Sequence, residues 1–233
     1  LAVGAEPRQL ALPIRLADHA RLANFLPAGN EALLAALAAA AAGGGRAPVW
    51  VAGAPGSGRT HLLQATVAEV PAGLGAAYLP LDRATGLPPA VLEGLGELAL
   101  VALDDVDAVA GDPAFEVALF RLYEALVPRG GALVLAARAD VADSGFRLPD
   151  LASRLAAGLR FAIAPLDDAG RLAALQLRAR FRGLELPDET GRYLLSRVAR
   201  GTASLFALLD TLDEASLASG RRLTVPFVRA LIG

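Results

Sequence analysis

From residue 49 onward, short apolar runs alternate with longer segments in which apolar residues recur every three to four positions. The runs VWVAG (49–53), AAYLPL (76–81), LALVALDD (98–105), ALVLAAR (132–138) and LRFAIA (159–164) predict five strands. They are apolar throughout rather than alternating, the pattern of a parallel sheet covered on both faces. Between them the spacing predicts helices over about 59–69, 113–127 and 150–156, so the expected class is α/β, with helices on either side of the sheet. After Pro165 the strand signals stop. Helices are expected over 167–182, 187–200, 202–219 and from 224, broken at Gly183, Gly201 and Gly220, where a helix end tolerates positive φ. Upstream, Asn30 is placed to cap a helix running to Ala42, with Gly43 just past its end. Residues 1–20 contain two prolines and no sustained period, the signature of an extended arm. The expected organisation is therefore an arm (1–20), a three-layer α/β unit with a five-stranded sheet (21–165) and a small helical unit (166–233).

Composition narrows this picture. At 233 residues, 55% apolar and 20% charged, the chain can bury a large core, and 5% aromatic residues favour aliphatic helices and strands over a sandwich. All 22 basic residues are Arg, so an individual Arg is weak evidence by its type alone. A net charge of -2 disfavours a basic nucleic-acid-binding surface, and residues 166–233 carry ten Arg against eight acids, too little excess for one. With no Cys and with His19 and His61 as the only imidazoles, disulfides and structural zinc are excluded. The most apolar run, Leu33 to Ala42, is too short to span a bilayer, so no membrane role and a cytoplasmic location are expected.

Chemistry concentrates at GAPGSGRTHLL (53–63), which lies between a strand and a helix as a phosphate-binding loop requires. The spacing is GxxxxGxT, with Gly53, Pro55, Gly56, Ser57 and Gly58 in the turn and Arg59 where Lys is usual. Gly56 and Gly58 let backbone N–H groups wrap a β-phosphate at the helix start, and Thr60 can offer its hydroxyl to Mg2+. Guanidinium neutralises phosphate but is not the compact point charge of Lys, which suggests binding of ADP or ATP with little turnover. The third strand ends in Asp104 and Asp105, where a magnesium ligand and a water-orienting group belong. His61 follows the loop as a candidate for shaping the pocket. Arg154 lies on the short helix between the fourth and fifth strands, from which it could reach a neighbour's γ-phosphate.

The segments RQLALPI (8–14), GSGRTHLL (56–63), LPDLASRL (148–155), LAALQLRARFRGLELPDETGRYLL (172–195) and LTVPFV (223–228) resemble the DnaA family of AAA+ proteins, and within it the branch that inactivates DnaA. The resemblance implies a P-loop α/β domain followed by a helical lid. It also implies that QLALPI docks on the DNA polymerase sliding clamp (β subunit), with Gln9 hydrogen-bonding at its groove and Leu10, Leu12, Pro13 and Ile14 as apolar anchors. Arg154 would then be an arginine finger offered in trans to ATP held by DnaA, with the resident nucleotide a structural ligand. Two positions depart from the family pattern. Ala203 stands where a phosphate-sensing Arg is usual, with Arg200 one turn earlier, and Arg138 replaces a small polar or acidic group, which points to weak intrinsic hydrolysis. The rival is an ATP-driven initiator or helicase loader; full initiators continue into a basic DNA-binding domain, whereas the present sequence stops at Gly233. A P-loop small-molecule kinase is disfavoured by the lid pattern. Homo-oligomerisation is left open.

Overall fold

The computed structural model describes residues 20–82, 85–197, 211–212 and 223–232. The segment Gln9 to Ile14, His19, Arg200, Gly201, Ala203 and Gly220 lie outside the described residues. Five parallel strands form one sheet: β1 (Val49–Ala52), β2 (Ala76–Pro80), β3 (Leu100–Asp104), β4 (Ala132–Ala137) and β5 (Leu159–Ala162), in the order β2-β3-β4-β1-β5. Around them lie α1 (Glu31–Ala41), α2 (Arg59–Ala68), α3 (Pro113–Leu126) and α4 (Pro149–Ala156); α5 (Asp168–Phe181), α6 (Asp188–Arg197) and α7 (Val225–Ile232) follow the sheet. The expected strands and helices are present with ends shifted by one or two residues, apart from those whose ends or length fall outside the described residues. Each start has a local cause. Asp112 caps α3 by accepting from the N–H of Ala114 at 2.9 Å, with Pro113 at the first helical position, and Asp167 caps α5 by accepting from Gly170 at 2.7 Å.

The strand period of two divides the interior. Val49, Val51, Leu100, Ala102, Ala132, Val134 and Ala136 pack with Leu33 and Leu37 of α1 and Leu62, Leu63 and Val67 of α2. Their neighbours Trp50, Ala52, Val101, Leu103, Leu133, Leu135 and Ala137 point the other way, onto Leu119, Leu122 and Leu126 of α3 and Leu151 and Leu155 of α4. The layers are therefore helix, sheet, helix. Trp50 is buried, and its indole N–H is satisfied by the carbonyl of Ala139 at 3.0 Å. A third cluster, of Leu175, Ala179, Leu186, Leu194, Leu212, Leu223 and Val228, lies among the helices after the sheet, where the Thr190 hydroxyl donates to the carbonyl of Leu223 at 3.1 Å.

Two expectations need correction. The five strands are not all covered on both faces: β5, which among the described residues pairs only with β1 and so lies at the edge of the sheet, is largely exposed, with Leu159 at 49%. Asn30 stands at the start of α1 but its side chain makes no capping bond there. Its amide instead donates to the carbonyl of Pro27 at 2.9 Å and accepts from the N–H of Ala164 at 2.9 Å, tying the segment before α1 to the exit of β5. Among the described residues no helix is long and apolar enough to cross a membrane.

Candidate functional site

The loop between β1 and α2 lies at the C-terminal edge of the sheet, the edge at which ligands bind in open α/β folds. Its glycines are demanded by geometry. Gly58 has φ +101°, and a Cβ there would stand 2.8 Å from the ring of Phe25; a Cβ on Gly53 would collide with the Ser57 hydroxyl. With Gly56 at φ +79° and the N–H of Ser57 bonded to the carbonyl of Ala54 at 3.0 Å, the loop curls tightly ahead of α2. The hydroxyl of Ser57 is buried with no hydrogen-bond partner, a donor awaiting an acceptor.

Two adjacent carboxylates meet this loop. Asp104 is buried and accepts from three donors: the hydroxyl of Thr60 at 2.6 Å, the hydroxyl of Tyr78 at 3.0 Å and the N–H of Asp105 at 3.0 Å. Burial and the charge of Asp104 push the Tyr78 hydroxyl well above its ordinary value, so it remains a donor. Asp105 has φ +49° and accepts from Nη2 of Arg59 at 2.8 Å. Its proton affinity is nonetheless raised: partial burial and the neighbouring Asp104 charge outweigh the guanidinium. Arg59 is itself buried, so the loop's cation is directed at Asp105 and does not line the cavity above the loop. Beside this pair, Arg138 at the end of β4 reaches Asp107 at 3.7 Å.

That cavity has a volume of about 290 Å³. The loop residues Ala54 to Gly58 and His61 form its floor, Asn24 to Leu26 and Asn30 one side, and Ile163 to Leu166 with Arg171, Ala174 and Arg178 of α5 the other. His61 stacks on Phe25 at a centroid distance of 6.2 Å, and its Nε2 donates to the carbonyl of Arg21 at 3.2 Å. Burial first, then the positive charge of Arg178, lowers its pKa from 6.5 to about 4, so the ring is neutral at physiological pH. A second cavity, of about 450 Å³, lies between the segments after β2 and β3. It contains no loop residue and sets Asp82 and Asp112 against Arg147, so it lacks the anion-complementary character of the first.

The structure thus brings Gly53, Pro55, Gly56, Ser57, Gly58, Arg59, Thr60, His61, Asp104 and Asp105 together at one edge of the sheet. Thr60 and Asp104 offer hard oxygen atoms to a divalent cation; among the described residues no group of three or more His, Cys, Asp or Glu could hold a metal without further ligands. Arg154 stands apart, on α4, with its side chain half exposed. Its Nη2 lies 3.6 Å from Glu124 and its guanidinium 5.8 Å from the ring centroid of Tyr123, both on α3. Tyr78, Phe25, Arg171 and Arg178 were not singled out from the sequence. Tyr78 had one available signal: it is the polar-tipped residue of an apolar strand, and β2 pairs with the strand that ends at Asp104.

A family model described as "Hda, lid domain" matches residues 168–232. Among solved structures, domain III of the replication initiation protein DnaA from Thermotoga maritima superposes with a TM-score of 0.76 at 22% identity, covering 94% of this chain and 98% of that one. AMPPCP-bound DnaA from Aquifex aeolicus gives 0.68 at 23% identity, over 84% of this chain and 66% of that chain. The Holliday junction branch migration motor RuvB from Thermotoga maritima gives 0.60 at 17% identity, over 86% and 66%. These likenesses show the α/β AAA+ fold.

Proposed function

We propose, from the premise that this chain is an AAA+ protein of the Hda/DnaA family, that it regulates replication initiation by promoting hydrolysis of ATP held by DnaA. The P-loop cavity holds ADP or ATP as a structural ligand: the curled loop offers backbone N–H groups, the unpartnered Ser57 hydroxyl offers another donor, and among the described residues no carboxylate lines the wall. Mg2+ would rest on Thr60 and Asp104, with nucleotide phosphates completing its oxygen shell. Arg154 is the finger. The observation that carries this reading is its placement: it lies on α4 outside its own chain's nucleotide cavity, half exposed, with contacts to α3 that its side chain can leave at little cost. Such an Arg serves a neighbour's phosphate by stabilising charge in the transition state. The peptide Gln9 to Ile14 attaches the regulator to the sliding clamp, which couples inactivation of DnaA to replicating DNA.

The test is a reconstituted assay of ATP hydrolysis by DnaA with clamp-loaded DNA. The parent chain is expected to stimulate hydrolysis, and Gln9→Ala with Leu12→Ala is expected to lose both clamp binding and stimulation. Stimulation by the double variant equal to the parent's would overturn the clamp-dependent reading. Rapid hydrolysis by this chain alone, with no effect on DnaA, would favour the motor or loader instead.

A further inference from the structure

We infer that Arg171 and Arg178, both on α5, are the groups that read the phosphates of the nucleotide held over the P-loop. The inference rests on the nucleotide-binding reading above and assigns the cationic half of that site. Among the described residues the cavity wall contains two guanidinium groups and the neutral His61 but no Asp or Glu, so its charge complements an anion. The cation of the loop itself does not line this cavity: Arg59 is buried with its Nη2 on Asp105.

Arg171 is the stronger of the two observations. Its side chain is only 14% exposed, yet Nε and Nη2 are buried with no hydrogen-bond partner. Among the described residues its one ion pair, Nη1 to Asp168 at 3.3 Å, is made to a carboxylate that is 94% exposed and so largely screened by water. A guanidinium held out of water with two donor atoms unspent is costly unless an acceptor arrives, and the cavity it lines is where one would sit. Its planar fork suits the paired oxygens of a phosphate. Arg178, two turns further along α5, carries its charge close enough to His61, the residue after Thr60, to disfavour protonation of that ring. It therefore stands over the start of α2, where a P-loop holds the phosphates. Together the two place the positive wall of the pocket on the segment that follows the sheet, opposite the loop's N–H groups.

The experiment uses the full chain and N-methylanthraniloyl-ADP as a fluorescent probe, displaced by adenosine, AMP, ADP or ATP. Parent, Arg171→Gln and Arg178→Gln are compared. Each substitution is expected to weaken ADP by about tenfold and to leave adenosine within about twofold, with the loss growing as phosphates are added. Arg171→Lys is expected to recover part of the loss, and Arg171→Gln, which removes a buried charge whose one partner among the described residues is exposed, should not lower the thermal midpoint of the nucleotide-free protein. An equal loss for all four competitors would show that the side chains only support packing, and no loss would show that they face nothing; either overturns the assignment. If Arg171→Gln fails to fold, Arg171→Lys and Arg178→Gln carry the same series. A parent that binds none of the four ligands overturns the nucleotide reading, and the role of the arginines with it.

Discussion

The P-loop and the α3–α4 edge each present one arginine, and the two are held in opposite ways. Arg59 is buried, with its guanidinium against Asp105 at 2.8 Å. Arg154 is half exposed and reaches Glu124 at 3.6 Å with Tyr123 below it. The first is committed to its own chain, because withdrawing it would strand a carboxylate beside a second one. The second gives up little on leaving, since an exposed pair is screened by solvent. In a chain whose 22 basic residues are all Arg, residue type says nothing about this division. The carboxylates and burial around each guanidinium decide whether its charge serves the fold, the chain's own ligand or a neighbour.

The contrast can be broken most severely at the outward arginine. Arg154→Ala is expected to reduce stimulation of DnaA ATP hydrolysis by about a hundredfold or more, with an unchanged urea midpoint, as measured in the reconstituted assay. Arg59→Met should show the reverse character: a stability loss of about 2 kcal/mol at pH 7, seen as an earlier urea midpoint. Asp105 already has a raised proton affinity, so in that variant the penalty is full above its folded pKa and shrinks as the pH falls and the carboxyl takes up a proton. The deficit relative to the parent should therefore be smaller at pH 5 than at pH 7. His61 sharpens the same side of the comparison. Its folded pKa of about 4 lies below the unfolded value of 6.5, so the stability gained from a neutral ring is present above pH 6.5 and is lost as the pH falls toward 4. Thermal midpoints of parent and His61→Gln should converge over that interval. The smallest effect belongs to Glu124→Ala, which should change stability by less than about 1 kcal/mol while leaving stimulation within about twofold. A large loss there would mean that Arg154 is committed to α3 after all.

Much of the fold was legible because its signals are local. Glycine and proline punctuate each apolar run, so β1, β3 and β4 could be located to within a residue or two, and the GxxxxGxT spacing located the loop. What was not legible depends on pairings between distant residues. Nothing near Asn30 announces that its amide will accept from Ala164 rather than cap α1. The exposure of β5 follows from its edge position, which the LRFAIA run cannot reveal. Arg171 and Arg178 were missed for a related reason: an Arg on an amphipathic helix reads as part of a solvated face, and only the fold shows that this face closes a cavity. Arg154 was legible by resemblance and would not have been by spacing.

The strand order also constrains how this protein can be made. β1, which launches the P-loop, pairs only with β4 and β5, and both are translated after it. As the chain leaves the ribosome, β2 and β3 can pair early, but the nascent VWVA strand has no neighbour until residue 132 and those after it emerge. The glycine-rich loop is thus assembled late, by insertion of β4 between two strands already synthesised, and until then β1 presents an unpaired apolar edge.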